Sequence, residues 1–264
     1  MSRQAYYKQQ KIAQCNSTRE EVIVQLVQGI RKRHKVMGGK KLFTCLRPDI
    51  ARLEGSMGRD KFFEVLRRSD LLVKRRRRYA RTTDSRHRFR VHKNLLQQFC
   101  PGAAHQVWVS DITYVRLSKE HFAYLFLITD AYSRKIVGWE LSESLGLHGA
   151  LKALAMAVEQ CGSCRSVIHH SDRGFQYCSN QYVDKLQSNG IQISMGEAGN
   201  CYENAMAERI NGILKMEYGL DETFSDIREA RQSAKEGIKY YNEERPHLSL
   251  KMKTPAVVHG CIIK

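Results

Sequence analysis

Three carboxylates occupy positions from which the fold could bring them together for metal-assisted chemistry. Asp111 lies in the middle of a strand-like run, Asp172 follows another such run by two residues, and Glu208 lies in a long helical segment. Two carboxylates about 4 Å apart repel each other by about 4 kcal/mol at an effective dielectric of 20, so folding alone disfavours this arrangement. Divalent cations relieve the repulsion because hard cations prefer carboxylate oxygens. A pair of such ions can activate a nucleophile and stabilise the leaving oxygen at phosphorus.

Five strands and four helices are predicted for the part of the chain that carries these acids. The strands, read from runs of β-branched and aromatic residues, cover 107–115, 122–128, 135–140, 166–170 and 191–195. The helices, read from apolar residues at helical spacing, cover 147–160, 180–188, 203–218 and 226–243. This order predicts an α/β fold in which helices pack on a mixed sheet. In such a sheet the strand of Asp111 and the strand before Asp172 can be neighbours.

The predicted helix 203–218 has one polar face. Its members recur at steps of three and four residues and are Asn204, Glu208, Asn211 and Lys215. An apolar stripe on the other side would dock the helix on the sheet. If the helix crosses the ends of the two strands, it brings Glu208 to the two aspartates.

Each acid also has an ordinary structural alternative. Asp111 could cap or form a hydrogen bond, Asp172 could close an Asp-Arg-Gly turn, and Glu208 could lie on an exposed helix surface. Asp130 is a further acid, which precedes the turn between the second and third strands, and we predict a structural role for it.

Positive charge is concentrated at the front of the chain. The 264 residues carry a net charge of +17. Residues 1–100 hold 26 Lys or Arg against 8 Asp or Glu, a net charge of +18, whereas residues 101–264 have a net charge of −1. This asymmetry indicates a polyanion-binding front end joined to a nearly neutral body, and nucleic acid is the natural polyanion. Bilayer binding is disfavoured because no basic amphipathic helix carries an apolar face rich in Trp or Phe.

The sequence of the first hundred residues predicts a small helical DNA-binding domain over 1–73 and a basic arm or linker over 74–100. Three helical segments, from about 19 to 32, from Lys40 and Lys41 onward, and from 60 to 69, are separated by glycine turns, as in a helix-turn-helix unit. The alternative is a helical bundle with a solvated basic face. The cations of the arm, which we expect to contact DNA phosphates, are Arg75, Arg76, Arg77, Arg78, Arg86, Arg88 and Arg90.

Composition argues against a membrane or secreted protein. The longest apolar run, Phe122–Ile128, is strand-sized, far below the ~18 residues of a membrane helix. The start of the chain shows no apolar signal segment, so we expect a cytoplasmic protein whose eight cysteines are reduced thiols. Cys161 and Cys164 lack a second pair at zinc-ribbon spacing. We interpret them as small residues near a helix end rather than a metal or redox site.

Four motifs carry a resemblance to a known family. They are Trp108–Tyr114, His170–Tyr177, Asn204–Glu208 and Tyr241–His247. They resemble the catalytic domain of bacterial insertion-sequence transposases of the Asp-Asp-Glu (DDE) class, the second-reading-frame proteins that are similar to retroviral integrases. The 35 residues between Asp172 and Glu208 match the spacing of this family, whereas only 30 residues separate Asp172 from Glu203.

The resemblance implies a ribonuclease H-like domain over 101–264 that ends in a helical tail. It also implies that Asp111, Asp172 and Glu208 are the catalytic residues and bind two divalent ions, Mg²⁺ or Mn²⁺. It implies a DNA transposase that cuts at the transposon end and joins the freed 3′-hydroxyl to another phosphodiester. Lys215 stands where the family carries a basic residue that faces DNA. The implied partners are transposon-end and target DNA at the nucleoid, further copies of the chain on that DNA, and an upstream-frame fusion partner.

Two alternatives to a transposase stay open at this point. One is a ribonuclease H-like nuclease that cuts without joining strands. The other is a non-catalytic DNA-binding regulator of the element.

Overall fold

A computed structural model describes residues 3–53, 57–73, 90–97, 99–118, 121–196 and 205–261. The chain divides into two compact units, Met1–Arg78 and Tyr79–Lys264. The predicted domain limits at 73 and 100 stay predictions, because most of the arm expected between them lies outside the described residues. Within the described ranges, no helix is both long enough and apolar enough to cross a membrane.

The first unit packs three helices around an apolar core. Helix α1 spans Arg3–Arg31, α2 spans Gly39–Arg52 and α3 spans Arg59–Arg68. Apolar side chains at helical spacing face inward on each helix. The most buried of them are Ile23, Val27, Leu42, Phe62, Val65 and Leu66. The helical prediction for this segment is therefore confirmed, and Lys40 and Lys41 lie in the first turn of α2.

Helix α1 begins well before its predicted start. The sequence predicts a start near residue 19 with Thr18 as the cap, but the helix extends back to Arg3. The Thr18 hydroxyl donates to the Gln14 carbonyl oxygen at 3.1 Å, a bond typical of threonine inside a helix. The preceding residues are rich in Gln, Lys and Ala and contain no Gly or Pro, so nothing in them stops a helix.

The second unit is built on a five-stranded mixed sheet, which confirms the predicted fold class. Strand β1 spans Val107–Arg116, β2 Phe122–Asp130, β3 Ile136–Ser142, β4 Ile168–Ser171 and β5 Gln192–Met195. The strand order is β3-β2-β1-β4-β5. The first three strands form an antiparallel meander, whereas β4 is parallel to β1 and β5 is parallel to β4. Strand β1 is therefore central.

Helices cover both faces of this sheet. One face packs against α4 (Leu147–Cys161), α5 (Phe175–Cys178) and α6 (Asn180–Ser188), and the other packs against α7 (Ala205–Tyr218) and α8 (Ile227–Glu243). Alternate residues of β1 serve the two layers. Trp108 is buried in the α4 layer and Val115 in the α7 layer.

A short helix in the tail, α9 (Pro255–Gly260), is not foreseen by the sequence motifs. The Thr254 hydroxyl oxygen accepts a hydrogen bond from the Val257 N–H at 3.4 Å, and Pro255 occupies the first turn, as helix starts favour. On α9, His259 Nδ1 lies 2.9 Å from Ser133 Oγ. This contact fastens the tail to the turn after β2.

Candidate active site

The register of β1 and β4 places Asp111 beside Asp172. The two parallel strands pair Val107 with Ile168 and Val109 with His170. Continued by two residues, this register sets Asp111 opposite Asp172, which directly follows β4. Neighbouring strands lie about 4.7–4.9 Å apart. The prediction that these two elements are neighbours in the sheet is confirmed.

Helix α7 crosses the face of the sheet that carries the Asp111 side chain. Asn211 Nδ2 donates to Asp111 Oδ2 at 2.6 Å. Asn211 is only 7 % exposed, and its buried Oδ1 accepts no hydrogen bond from the residues that the structure describes. The bond links α7 to β1 and orients the Asp111 carboxylate. Glu208 lies one turn before Asn211 and has an exposed side chain.

The three acids share one electrostatic environment. Burial, followed by the negative charges of Asp172 and Glu208, raises the pKa of Asp111 to about 7, although hydrogen bonds at Ile112 and from Asn211 oppose the shift. Charges shift a pKa through space, so Asp172 and Glu208 lie within electrostatic range of Asp111. The strand register sets Asp111 opposite Asp172, and Glu208 acts on Asp111 through its charge.

The donor set suits a hard divalent cation, although its side chains do not form a closed metal site. Across the described parts of the chain, no group of three His, Cys, Asp or Glu side chains is arranged to hold a metal ion. Asp172 Oδ1 accepts from the Gly174 N–H at 2.9 Å, so the turn considered for Asp172 is present, and the Glu208 side chain is exposed. The high pKa of Asp111 and the unpartnered Asn211 Oδ1 both mark a site short of positive charge and donors. Carboxylate and amide oxygens are the ligands that such cations prefer.

A buried polar network joins β1 to β4 next to these acids. His169 Nε2 lies 2.6 Å from Ser110 Oγ and 3.0 Å from the Tyr182 hydroxyl. Burial, and then the charge of His170, lower the pKa of His169 to about 3, so the ring is neutral at physiological pH. The network fixes the strand positions that precede Asp111 and Asp172.

Sequence reasoning missed part of this arrangement. It placed Asn211 on the polar face of its helix without a partner, and it did not single out Ser110, His169 or Tyr182. The signals available in the sequence were a polar residue, Asn211, three positions after Glu208, and the pair His169 and His170 inside a predicted strand. Neither pattern identifies the partner.

Asp130 has the structural role that we predicted. Its buried carboxylate accepts hydrogen bonds from the Ser133 N–H, the Ser133 hydroxyl and the His105 N–H, each at 2.7 Å. Burial alone would raise the pKa of Asp130, but hydrogen bonds from His259, Ser133 and His105 lower it overall. Asp130 therefore closes the turn after β2.

The structure describes only some of the predicted DNA-binding residues. Lys215 is half-buried on α7; burial lowers its pKa, while the nearby charge of Asp111 opposes that shift. Lys40 and Arg90 are exposed and Lys41 is half-buried. The remaining predicted contacts lie outside the described residues and are Arg75, Arg76, Arg77, Arg78, Arg86 and Arg88.

Comparison with known proteins decides the family. Two models described as "Integrase core domain" match residues 101–201 and 189–255. The "Insertion element IS600 uncharacterized 31 kDa protein" of Shigella sonnei is 38 % identical over 202 residues, which cover 76 % of this chain and 74 % of that protein. The chain belongs to the bacterial insertion-sequence transposases of the DDE class. It is accordingly an enzyme of DNA transposition.

Further relatives of this transposase match shorter segments. "Transposase InsF for insertion sequence IS3A" of Escherichia coli (strain K12) is 38 % identical over 153 residues, 58 % of this chain and 53 % of that protein. The "Putative transposase for insertion sequence element IS986/IS6110" of Mycobacterium tuberculosis (strain CDC 1551 / Oshkosh) is 40 % identical over 126 residues, 46 % of this chain and 45 % of that protein. The matched region spans about half the length of these two relatives.

A solved structure supports the ribonuclease H-like fold. A chain of the simian T-cell lymphotropic virus intasome, solved with PP2A regulatory subunit B56 gamma, superposes with a TM-score of 0.52 at 18 % identity. The match covers 86 % of this transposase and 76 % of that chain. The likeness shows a shared fold.

Proposed function

We propose that Asp111, Asp172 and Glu208 are the catalytic carboxylates of this transposase and hold two divalent metal ions, Mg²⁺ or Mn²⁺. The observation that carries the proposal is the convergence of their charges, which contributes to a pKa of about 7 for Asp111. When bound, the ions would activate the attacking oxygen and stabilise the oxygen that leaves phosphorus. They would also offset a repulsion that the folded chain otherwise sustains.

The surrounding residues of the chain hold these acids in place. Asn211 orients Asp111 through the 2.6 Å hydrogen bond. The contact of Ser110 with His169 keeps β1 and β4 in register at the level of the two aspartates. Lys215, whose charge interacts with Asp111, would face a phosphate of the bound strand. Such preorganisation matters because transfer at phosphorus depends on positioning and charge.

The proposed reaction has two displacements at phosphorus. In the first, water attacks the phosphodiester at the element end and the 3′-oxygen leaves, which frees a 3′-hydroxyl. In the second, that hydroxyl attacks a phosphodiester of the target, and one P–O bond forms as another breaks. The number of phosphodiester bonds is conserved in the second step, so it requires no external energy source.

DNA is the proposed partner of the basic front end. The net charge of +18 over residues 1–100 supports phosphate contacts by Lys40, Lys41, the arginines of the arm and Arg90. We also propose that several copies of the chain act together on DNA, since the structural neighbour described above belongs to an intasome. We further propose that a polypeptide encoded by the upstream reading frame can be fused to this chain.

Strand transfer with pre-cut element ends and divalent metal tests the catalytic assignment. Asp111→Asn, Asp172→Asn and Glu208→Gln should each abolish joining and leave DNA binding intact, because the basic segment is untouched. Asp184→Asn, which changes an exposed acid on α6, is the matched control and should stay active. Full activity in any of the three variants would refute the assignment.

The products also separate the alternatives. Cleavage without joining would indicate a nuclease. Binding without either reaction, in the wild-type chain with metal present, would indicate a regulator.

A further inference from the structure

An arginine in a left-handed backbone conformation lies beside the first turn of α7. Arg134, in the turn between β2 and β3, has a φ of 65°, a conformation that favours glycine or asparagine over other residues. Its half-buried guanidinium contacts Met206 Sδ, two residues before Glu208. The chain thus keeps a long cationic side chain where glycine would fit the backbone with less strain.

Three hydrogen bonds from α8 hold this turn in place. The Tyr241 hydroxyl donates to the Arg134 carbonyl oxygen at 3.0 Å. The Asn242 side chain accepts from the Ile136 N–H at 2.9 Å and donates to the Ile136 carbonyl oxygen at 3.0 Å. Both residues belong to the motif Tyr241–His247, to which sequence reasoning assigned no task. They fix the direction in which the Arg134 side chain leaves the backbone.

The guanidinium of Arg134 has only a weak acceptor within the described protein. A thioether is a poor acceptor, whereas a guanidinium carries five N–H donors. Among the described residues, no carboxylate lies within ion-pair distance of Arg134 or of Arg209. The nearby Asp130 is occupied by hydrogen bonds from Ser133 and His105.

A second cation lies close to the first. Arg209 is exposed on α7, directly after Glu208. Burial lowers the pKa of Arg134; interactions with Tyr241, Asp130 and Cys100 oppose this shift, and the positive charge of Arg209 adds to it. Two guanidinium groups on adjoining elements, neither in an ion pair with a described carboxylate, favour an anionic ligand from outside the chain.

We infer that Arg134, together with Arg209, binds a backbone phosphate of the DNA strand that lies beside the proposed catalytic acids. A planar guanidinium can donate two parallel hydrogen bonds to a phosphate. Such a contact positions the strand and reads no sequence. The inference rests on the proposed function, because that function places DNA along the start of α7. Arg134 would hold a phosphate next to the reacting one while the acids act.

The salt dependence of DNA binding by the full chain tests this contact. Arg134→Gly removes the charge and suits the backbone, so its thermal unfolding midpoint should equal or exceed that of the wild type. Measured by fluorescence anisotropy with one duplex DNA, the slope of log affinity against log salt should fall by about 0.9. Affinity should fall about three- to tenfold and by the same factor for unrelated sequences.

Two further variants sharpen the measurement. Arg209→Ala should reduce the slope in the same direction. Lys251→Gly is the matched control, because it removes an exposed cation that also has a left-handed backbone, with a φ of 52°. It should leave the slope unchanged.

Arg134→Asn provides a second neutral variant that tolerates the same backbone, should the glycine variant fail to fold. An unchanged slope in whichever neutral variant folds would overturn the inference. Asp111→Asn tests the proposed function separately and should abolish strand transfer with a wild-type slope. If Asp111→Asn is inactive but the Arg134 variants keep the full slope, only the phosphate contact fails. If Asp111→Asn stays active, the proposed function fails whatever the slope.

Discussion

At the scale of single residues, the charged form of Asp111 is disfavoured in the folded, metal-free protein. Burial and the charge of Asp172 raise its pKa from an ordinary 3.8 to about 7. The unfolded chain loses this proton near its ordinary pKa, whereas the folded chain keeps it up to the raised one. The contribution of Asp111 to stability is therefore least unfavourable at low pH and becomes more unfavourable as the pH rises between these two values.

Asp111→Asn should therefore stabilise the metal-free protein at alkaline pH. We expect a gain in the free energy of unfolding of up to about 4 kcal/mol near pH 8, and less than half of that near pH 5, because one pKa unit is worth about 1.4 kcal/mol. Urea unfolding in the presence of a chelator measures both values. Asp184→Asn should change little. A gain of equal size at both pH values would contradict the raised pKa.

Asn211 is the residue whose loss should alter the proposed metal site without removing a carboxylate. Asn211→Ala deletes the donor to Asp111 Oδ2 and leaves that carboxylate less firmly oriented. Residues that orient metal ligands typically contribute about 10–100-fold to affinity or activity. We expect strand transfer to slow by that factor and to require more Mn²⁺, measured by titration of the metal. Asn180→Ala changes an exposed asparagine on α6 and should behave as wild type. If Asn211→Ala and Asn180→Ala require the same Mn²⁺ concentration, Asn211 does not orient Asp111 for metal binding.

At the scale of elements, α7 is held at its far end by a buried ion pair. Arg245 Nε donates to Glu217 Oε2 at 2.8 Å, and the two side chains are 6 % and 5 % exposed. Arg245 Nη1 also lies 3.2 Å from His247 Nε2. Glu217 Oε1 has no hydrogen-bond partner among the described residues, so Glu217 is held mainly by its bond from Arg245 Nε. The tail motif thus braces the helix that carries Glu208.

Breaking one side of this pair should be more harmful than replacing both. Arg245→Met leaves a buried carboxylate without its partner and should lower the free energy of unfolding by about 3–5 kcal/mol. The double variant Glu217→Leu with Arg245→Met should recover most of the loss, since no buried charge remains. Chemical unfolding compares them. Arg59→Met, in the exposed pair with Asp60, should change stability by less than about 1 kcal/mol, and a loss as large as that of Arg245→Met would contradict this ranking.

The sheet could be predicted from the sequence because its strands are short runs rich in β-branched and aromatic residues, and β2 and β4 are buried on both faces along most of their length. The β1–β3 meander follows from short connections between such runs, and the helical stripes identify α4, α6, α7 and α8. The start of α1 could not be predicted, because Thr18 is an equally good cap and helix residue. Helix α9 has 6 residues, too few to show a period.

The site could be predicted only in part for a related reason. The three acids are recognisable from spacing within the chain. The bond from Asn211 to Asp111, and the contact of His169 with Ser110, depend on how α7 and β4 dock against β1. No local pattern encodes that docking.

At the scale of the whole molecule, positive charge is distributed unevenly along the chain. The first hundred residues carry a net charge of +18, while the rest of the chain is nearly neutral. A basic front end contributes affinity that falls with salt and does not depend on sequence.

Changing Arg75, Arg76, Arg77 and Arg78 to Ala should weaken binding to every DNA sequence and reduce the salt slope by up to about 3–4. Anisotropy titrations with two unrelated duplexes measure both effects. A matched control changes four exposed cations of the tail region, which are Arg228, Lys235, Lys239 and Lys251. Loss of binding to one sequence alone would contradict a phosphate-contact role.

Uptake of Mn²⁺ by the DNA-bound chain, followed by electron paramagnetic resonance, tests the shared-metal claim most directly. Because we propose that the three acids hold the metal together, the wild type should bind Mn²⁺ more tightly than Asp111→Asn, Asp172→Asn and Glu208→Gln, with Asp184→Asn unchanged. Equal Mn²⁺ binding by the wild type and all three acid variants would contradict the account.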